Sequence, residues 1–180
     1  MAVQYYVASS LDGFIADRDG KLDWLLAFGM AEFEEHYEAF LANVGALVMG
    51  APTYEFVLAE GEDAWPYADL PTWVVTHRDL PKIPGADVRF ASGDIGPIVQ
   101  DAKDAAGDRN VWVVGGGDVA AQIAEIELLD ELRLTVMPVV LGGGVPVLPI
   151  TAPQRPLALL GSTTFPSGAV EHVYSFHAAG

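Results

Sequence analysis

The 180-residue chain contains no cysteine. This excludes disulfides, thiolate zinc sites, iron–sulfur clusters and a cysteine nucleophile. The four histidines, His36, His77, His172 and His177, are scattered without ligand-like spacing, so no bound metal is expected. Positive charge is scarce too: nine Lys and Arg stand against twenty-five Asp and Glu, a formal net charge of −16. Such a field repels nucleic-acid phosphates and anionic membranes, which sets aside general binding to either. No apolar run approaches the roughly 18 residues that a membrane-spanning helix needs. The first residues carry no basic segment of the signal-peptide kind, and a cytoplasmic protein is the expectation.

What is abundant is apolar surface. With 51% hydrophobic residues, a chain of this length buries about 70% of its unfolded surface in one core, so a single domain over residues 1–180 is expected. No repeat, linker or low-complexity stretch divides it. Four tryptophans in so short a chain also point to apolar surface hidden against a second copy, so a homodimer is expected.

Strand and helix signals alternate along the chain. Residues 3–8 read as a first strand. Residues 30–44 read as an amphipathic helix with Met30, Phe33, Tyr37, Phe40, Leu41 and Val44 on one face and Glu32, Glu35 and Glu38 turned away. Glu34 and His36 lie at the edges of that stripe. Strand 46–49 leads into a helix with Pro52 in its first turn. Strands 72–76 and 88–90 follow, then a helix to about residue 106 with Asp94 as its cap. A strand at 111–114 runs into a helix from Asp118. The remaining strand-like runs, 132–141, 157–162 and 170–177, have no helix between them, and the Pro- and Gly-rich residues 142–156 read as an ordered excursion. The sum is an α/β chain with a mixed sheet and helices on both faces.

Two of these strand-to-helix junctions carry the candidate chemistry. Val111-Trp112-Val113-Val114-Gly115-Gly116-Gly117 runs straight into Asp118-Val119-Ala120, and Gly50-Ala51-Pro52-Thr53 forms a similar passage upstream. Glycine lets a ligand approach the main chain, and a helix start presents unpaired N–H groups to an anion. Two phosphate cradles suit a dinucleotide. Gly115, Gly117 and Ala120 also satisfy a loose pattern met in many tight turns, so a turn without ligand stands as the alternative.

The segments Ser10-Leu11-Asp12-Gly13-Phe14-Ile15-Ala16, Gly50-Ala51-Pro52-Thr53-Tyr54-Glu55, Val113-Val114-Gly115-Gly116-Gly117 and Leu128-Leu129-Asp130-Glu131-Leu132 together resemble the dihydrofolate reductase superfamily. The likeness is greatest to the branch of the riboflavin-biosynthesis reductase domain, the RibD C-terminal domain. The resemblance implies a three-layer fold around a central mixed eight-stranded sheet, and NADPH as hydride donor, with NADH possible. It places Ala8, Gly50, Thr53, Gly115, Gly116, Gly117, Asp118 and Val119 at the cofactor and implies a cis bond at Gly116–Gly117. Arg78, assisted by Thr76 and His77, is matched to the cofactor's 2′-phosphate; a surface ion pair with Asp79 is the alternative. Ala51 departs from the family, which usually has arginine there. Hydride transfer also calls for a proton, and the resemblance assigns its delivery to an acid on the helix before the second helix-flanked strand, here Glu34. Trp24 and Phe33 are candidate walls for a flat substrate ring, with core packing as the alternative. The expected activities are reduction of a phosphoribosylaminopyrimidine first and of a folate second, and a noncatalytic nucleotide-binding dimer stands beside them.

Overall fold

A computed structural model describes residues 1–59, 61, 65–67, 70–151 and 156–177. Its centre is an eight-stranded sheet in the order β5-β4-β3-β6-β1-β7-β10-β9. In chain order these strands are β1 (Val3–Ser10), β3 (Val44–Gly50), β4 (Thr72–Val75), β5 (Val88–Ala91), β6 (Asn110–Val114), β7 (Glu131–Met137), β9 (Ala158–Thr164) and β10 (Val170–Ser175). All the pairings from β5 to β7 are parallel; β10 runs antiparallel to both of its neighbours. The mixed sheet expected from the sequence is therefore present.

Side-chain alternation sorts the sheet into two faces. Val3 and Tyr5 of β1, Ala46 and Val48 of β3, and Val111 and Val113 of β6 pack beneath α4 (Ile95–Ala106) and α5 (Gly117–Glu125). Leu47, Met49, Trp112 and Val114 pack on the other face with Phe40 of α2 (Glu34–Leu41) and Tyr54 of α3 (Ala51–Ala59). Asp94 caps α4 as expected, accepting a hydrogen bond from the Gly96 amide at 3.0 Å.

Several boundaries differ from the sequence reading. The helix expected over 30–44 is only Glu34–Leu41: Met30 precedes it and is 59% exposed, the Asn43 backbone N–H turns back to the Phe40 carbonyl, and Val44 already belongs to β3. The run expected over 132–141 stops at Met137 because Pro138 has no N–H for the ladder. The terminal strand ends at Ser175 rather than residue 177. Three short elements escaped notice, namely α1 (Asp23–Leu26) and a two-stranded ribbon of β2 (Phe14–Ala16) with β8 (Val145–Pro146). That ribbon is where the excursion expected over 142–156 docks; residues 152–155 lie outside the described ones.

Candidate functional site

Strands β3 and β6 are neighbours, so their C-terminal junctions come together. A Cβ built on Gly116 would lie 3.5 Å from the Gly50 nitrogen, and one on Gly50 would lie 3.4 Å from a Val119 methyl. Gly115 and Gly116 have φ of 61° and 82°, in the region that favours glycine. Across them, a Cβ on Gly115 would come 2.9 Å from the Thr53 hydroxyl. No side chain caps α5, whose first-turn amides open beside Thr53 and Gly50. This uncapped helix start, flanked by backbone without Cβ atoms, fits the phosphates of a dinucleotide.

Individual assignments need sorting. Gly117 is buried, and its missing Cβ makes room for the carbonyls of Pro146 and Val147, so its glycine serves packing against β8. Val119 is buried between the two junctions and presents apolar surface, while Asp118 is exposed in the first turn of α5. The Gly116–Gly117 peptide is trans, as are all peptide bonds among the described residues, which corrects the expected cis bond. Arg78 pairs with Glu55 of α3 through two hydrogen bonds of 2.9 and 2.8 Å, not with Asp79. Thr76 accepts from the Arg78 amide, which fixes this loop at the end of β4. Ala51 is buried at the start of α3.

Beside the junctions lies a cleft of about 420 Å³. Its floor is Tyr6 and Ala8 of β1, Trp112 and Val114 of β6, and Thr135 and Met137 of β7. Leu25 and Leu26 of α1, Phe33 and Tyr37 of the α2 segment, and Phe56 and Tyr67 form the walls. Of the two aromatic residues expected there, Phe33 lines the cleft. Trp24 does not: it packs behind, with Phe33, Phe165 and Met137. Glu34 corrects the proton-donor expectation. Phe33 and Tyr37, four residues apart, face the cleft, and one step of about 100° turns Glu34 to the exposed side.

The acid that the sequence reading overlooked is Glu171 of β10. It is 1% exposed, lying under α2 on the same sheet face as the cleft floor. Its Oε1 accepts from Arg133 at 3.2 Å and lies 2.9 Å from His36 Nε2. Its Oε2 is buried with no hydrogen-bond partner. Register pairs Glu171 with Thr135 and Thr135 with Ala8, while Tyr6 pairs with Arg133, so all four polar side chains sit in one patch. Burial, chiefly, and then the negative Glu171 push the Tyr6 hydroxyl far above its ordinary range, while Arg133 and a bond from Thr135 act the other way. Tyr37 and Tyr67 are likewise raised by burial and share a hydrogen bond. A hint existed in the sequence: polar Glu131, Arg133 and Thr135 alternate with Leu132 and Leu134, which on a strand puts them all on one face.

Residues 63–170 match the family model of the RibD C-terminal domain. The uncharacterized protein YwjB of Bacillus subtilis is 32% identical over 89% of this chain and 90% of its own length, and YyaP of the same organism is 26% identical over 95% and 93%. Among solved structures, a putative riboflavin biosynthesis protein from Shewanella sp. PV-4 superposes with a TM-score of 0.83 at 30% identity, covering 97% and 98% of the two chains. Dihydrofolate reductase from Enterococcus faecalis, complexed with NADP(H), superposes at 0.67 and 19% identity over 97% and 95%, a likeness of fold.

Proposed function

Since the chain belongs to the RibD C-terminal domain family, we propose that it is a nicotinamide-dependent reductase of a flat nitrogen heterocycle, with NADPH the first cofactor to test. The observation that carries the reading is the meeting of two Cβ-free strand-to-helix junctions beside an aromatic-walled cleft. A reduced nicotinamide supplies the hydride when bound. The α5 amides, the Gly50 and Gly116 backbone and the Thr53 hydroxyl hold its phosphates. Ala8, the smallest side chain on the cleft floor, leaves room for a ring, and Phe33, Tyr37 and Met137 exclude water around it. Arg78 reaches a 2′-phosphate by exchanging Glu55 for it.

The relatives name two reactions to try. A Thermotoga maritima protein of this fold bears the name diaminohydroxyphosphoribosylaminopyrimidine deaminase/5-amino-6-(5-phosphoribosylamino)uracil reductase, and reduction of that uracil comes first, folate reduction second. No Lys or Arg lines the cleft among the described residues, so the dephosphorylated uracil belongs in the same panel. Parallel calorimetric titrations with NADPH and NADH test the reading before any substrate is known. Tight NADPH and weaker NADH binding are expected; binding of neither would sink it. Binding without turnover over the whole panel would favour the noncatalytic alternative, to which Ala51 lends weight.

The dimer is part of the same proposal. Edge strand β9 exposes Leu159 and Leu160 at 57% and 58%, and residues 156–170 carry no charge in a chain of net −16. An uncharged, unpaired edge suits a second copy of itself. Light scattering after size exclusion is expected to give twice the chain mass, and Leu160→Lys is expected to give the monomer.

A further inference from the structure

Glu171 sits between two openings. On one side is the cleft floor with Tyr6 and Thr135. On the other is a smaller pocket of about 180 Å³, lined by His36, Arg133, Gln4, Asn43 and Asn110 among others. The His36 side chain is 28% exposed, whereas Glu171 is 1% exposed, so His36 links the buried carboxylate to solvent. A carboxylate held on Oε1 by His36 and Arg133 keeps Oε2 free of other partners, so that a proton taken from His36 can be passed on by the neutral carboxyl. A buried oxygen without a partner carries a desolvation cost.

We propose that His36, Glu171, Tyr6 and Thr135 form a proton relay through the sheet, from solvent to the ligand bound in the cleft. The inference rests on the reductase reading for its reaction. As a hydride reaches the heterocycle's carbon and the nicotinamide is oxidised, the Thr135 hydroxyl gives its proton to the adjacent ring nitrogen. Glu171 enters the step as the neutral carboxyl, having taken a proton from protonated His36; Thr135 takes the Tyr6 hydroxyl proton and Tyr6 takes the Glu171 proton, which leaves Glu171 ionised again. His36 then regains its proton from water in the smaller pocket. Each group ends as it began, and the ligand gains one hydride and one proton. Arg133 is a positioning residue: its hydrogen bond of 3.2 Å to Oε1 holds the Glu171 carboxyl in place beside His36. The charged and titratable groups facing Glu171 are thus Arg133 of β7, His36 of α2 and Tyr6 of β1.

The test has two arms. NMR of histidine-labelled protein without ligands follows the His36 ring nitrogens against pH in wild type, Glu171→Gln and Tyr6→Phe. A connected relay requires the His36 titration to move in both variants. A titration indifferent to Tyr6→Phe, which His36 reaches only through Glu171, overturns the relay whatever the assays give. In the second arm, single-turnover reduction of the best panel substrate is timed in light and heavy water. Wild type is expected to slow in heavy water, and Tyr6→Phe and Glu171→Gln to lose about a hundredfold in rate with NADPH affinity unchanged. A wild type that turns over while both variants match it overturns the relay alone. A wild type that binds no cofactor removes the reductase reading, and the NMR arm then decides whether the four groups are coupled.

Discussion

The two faces of the central sheet solve the same packing problem with different materials. Under α4 and α5 the filling is apolar throughout, with Ile98, Val99, Ala102, Ile123 and Ala124 on Val3, Ala46, Val48, Val111 and Val113. Under α2 the same sheet buries Gln4, Thr135 and Glu171 with Arg133 beside them, among Tyr6, Phe40 and Trp112. A dry face needs only volume and shape; a face with buried charge needs every partner in place. The contrast tracks the cleft, which opens on the face that tolerates buried polarity, while the other face supplies the stability that such tolerance draws on.

The largest effect should come from breaking the polar face by halves. Glu171→Leu leaves the half-buried Arg133 without its carboxylate partner and is expected to cost about 3 kcal/mol in denaturant unfolding. The double change with Arg133→Met should recover most of that. If the double variant is no better than the single, the charges are not the reason for the loss. On the dry face, Ile123→Ala is expected to cost about 3 kcal/mol through the cavity it leaves, with cofactor affinity held within twofold. A smaller effect belongs to Arg78→Ala: NADPH should weaken about tenfold, close to 1.4 kcal/mol, NADH hardly at all, and stability should stay within about 0.5 kcal/mol. Equal losses for both cofactors would remove Arg78 from the 2′-phosphate role. The mildest concerns Asp12, whose exposed carboxylate accepts from Ser10, Leu141 and Gly142. The Ser10 hydroxyl foremost, with these amides, holds its pKa at about 2 against an ordinary 3.8. The folded value is depressed, so the clamp is complete above pH 3.8 and fails as pH falls toward 2. Amide exchange at Leu141 and Gly142 should rise in that window while exchange in β1 and β6 stays slow.

How legible these features were follows from how far apart their parts lie in the chain. The two glycine junctions could be read because each is contiguous, strand and glycine and helix within a dozen residues. The β9–β10 hairpin was readable from Pro166-Ser167-Gly168, where Gly168 has φ of 90°. The β2–β8 ribbon was not, because two strands of three and two residues carry no periodicity, and their pairing joins residues about 130 positions apart. The polar patch was hidden for the same reason: Glu171 meets Arg133 across 38 positions and His36 across 135. Glu34 was placed by its distance along the chain, and the helix's rotation then turned it outward. Trp24 is aromatic and near the cleft, yet α1 presents Leu25 and Leu26 to it instead.

The ribbon bears on how this chain can be altered. Its two glycine runs interlock with distant backbone: Gly117 abuts the carbonyls of Pro146 and Val147, while Gly143 and Gly144 abut the Arg18 side chain and the Ala16 carbonyl. The Tyr5 hydroxyl also ties the Val147 carbonyl to β1. Glycine-rich stretches are often chosen as insertion points or as places to randomise, on the supposition that they are slack. Here they act as the teeth of a gear. A library that varies 115–117 has to vary 145–147 with it, and a graft of this helix start onto another scaffold has to bring the ribbon along.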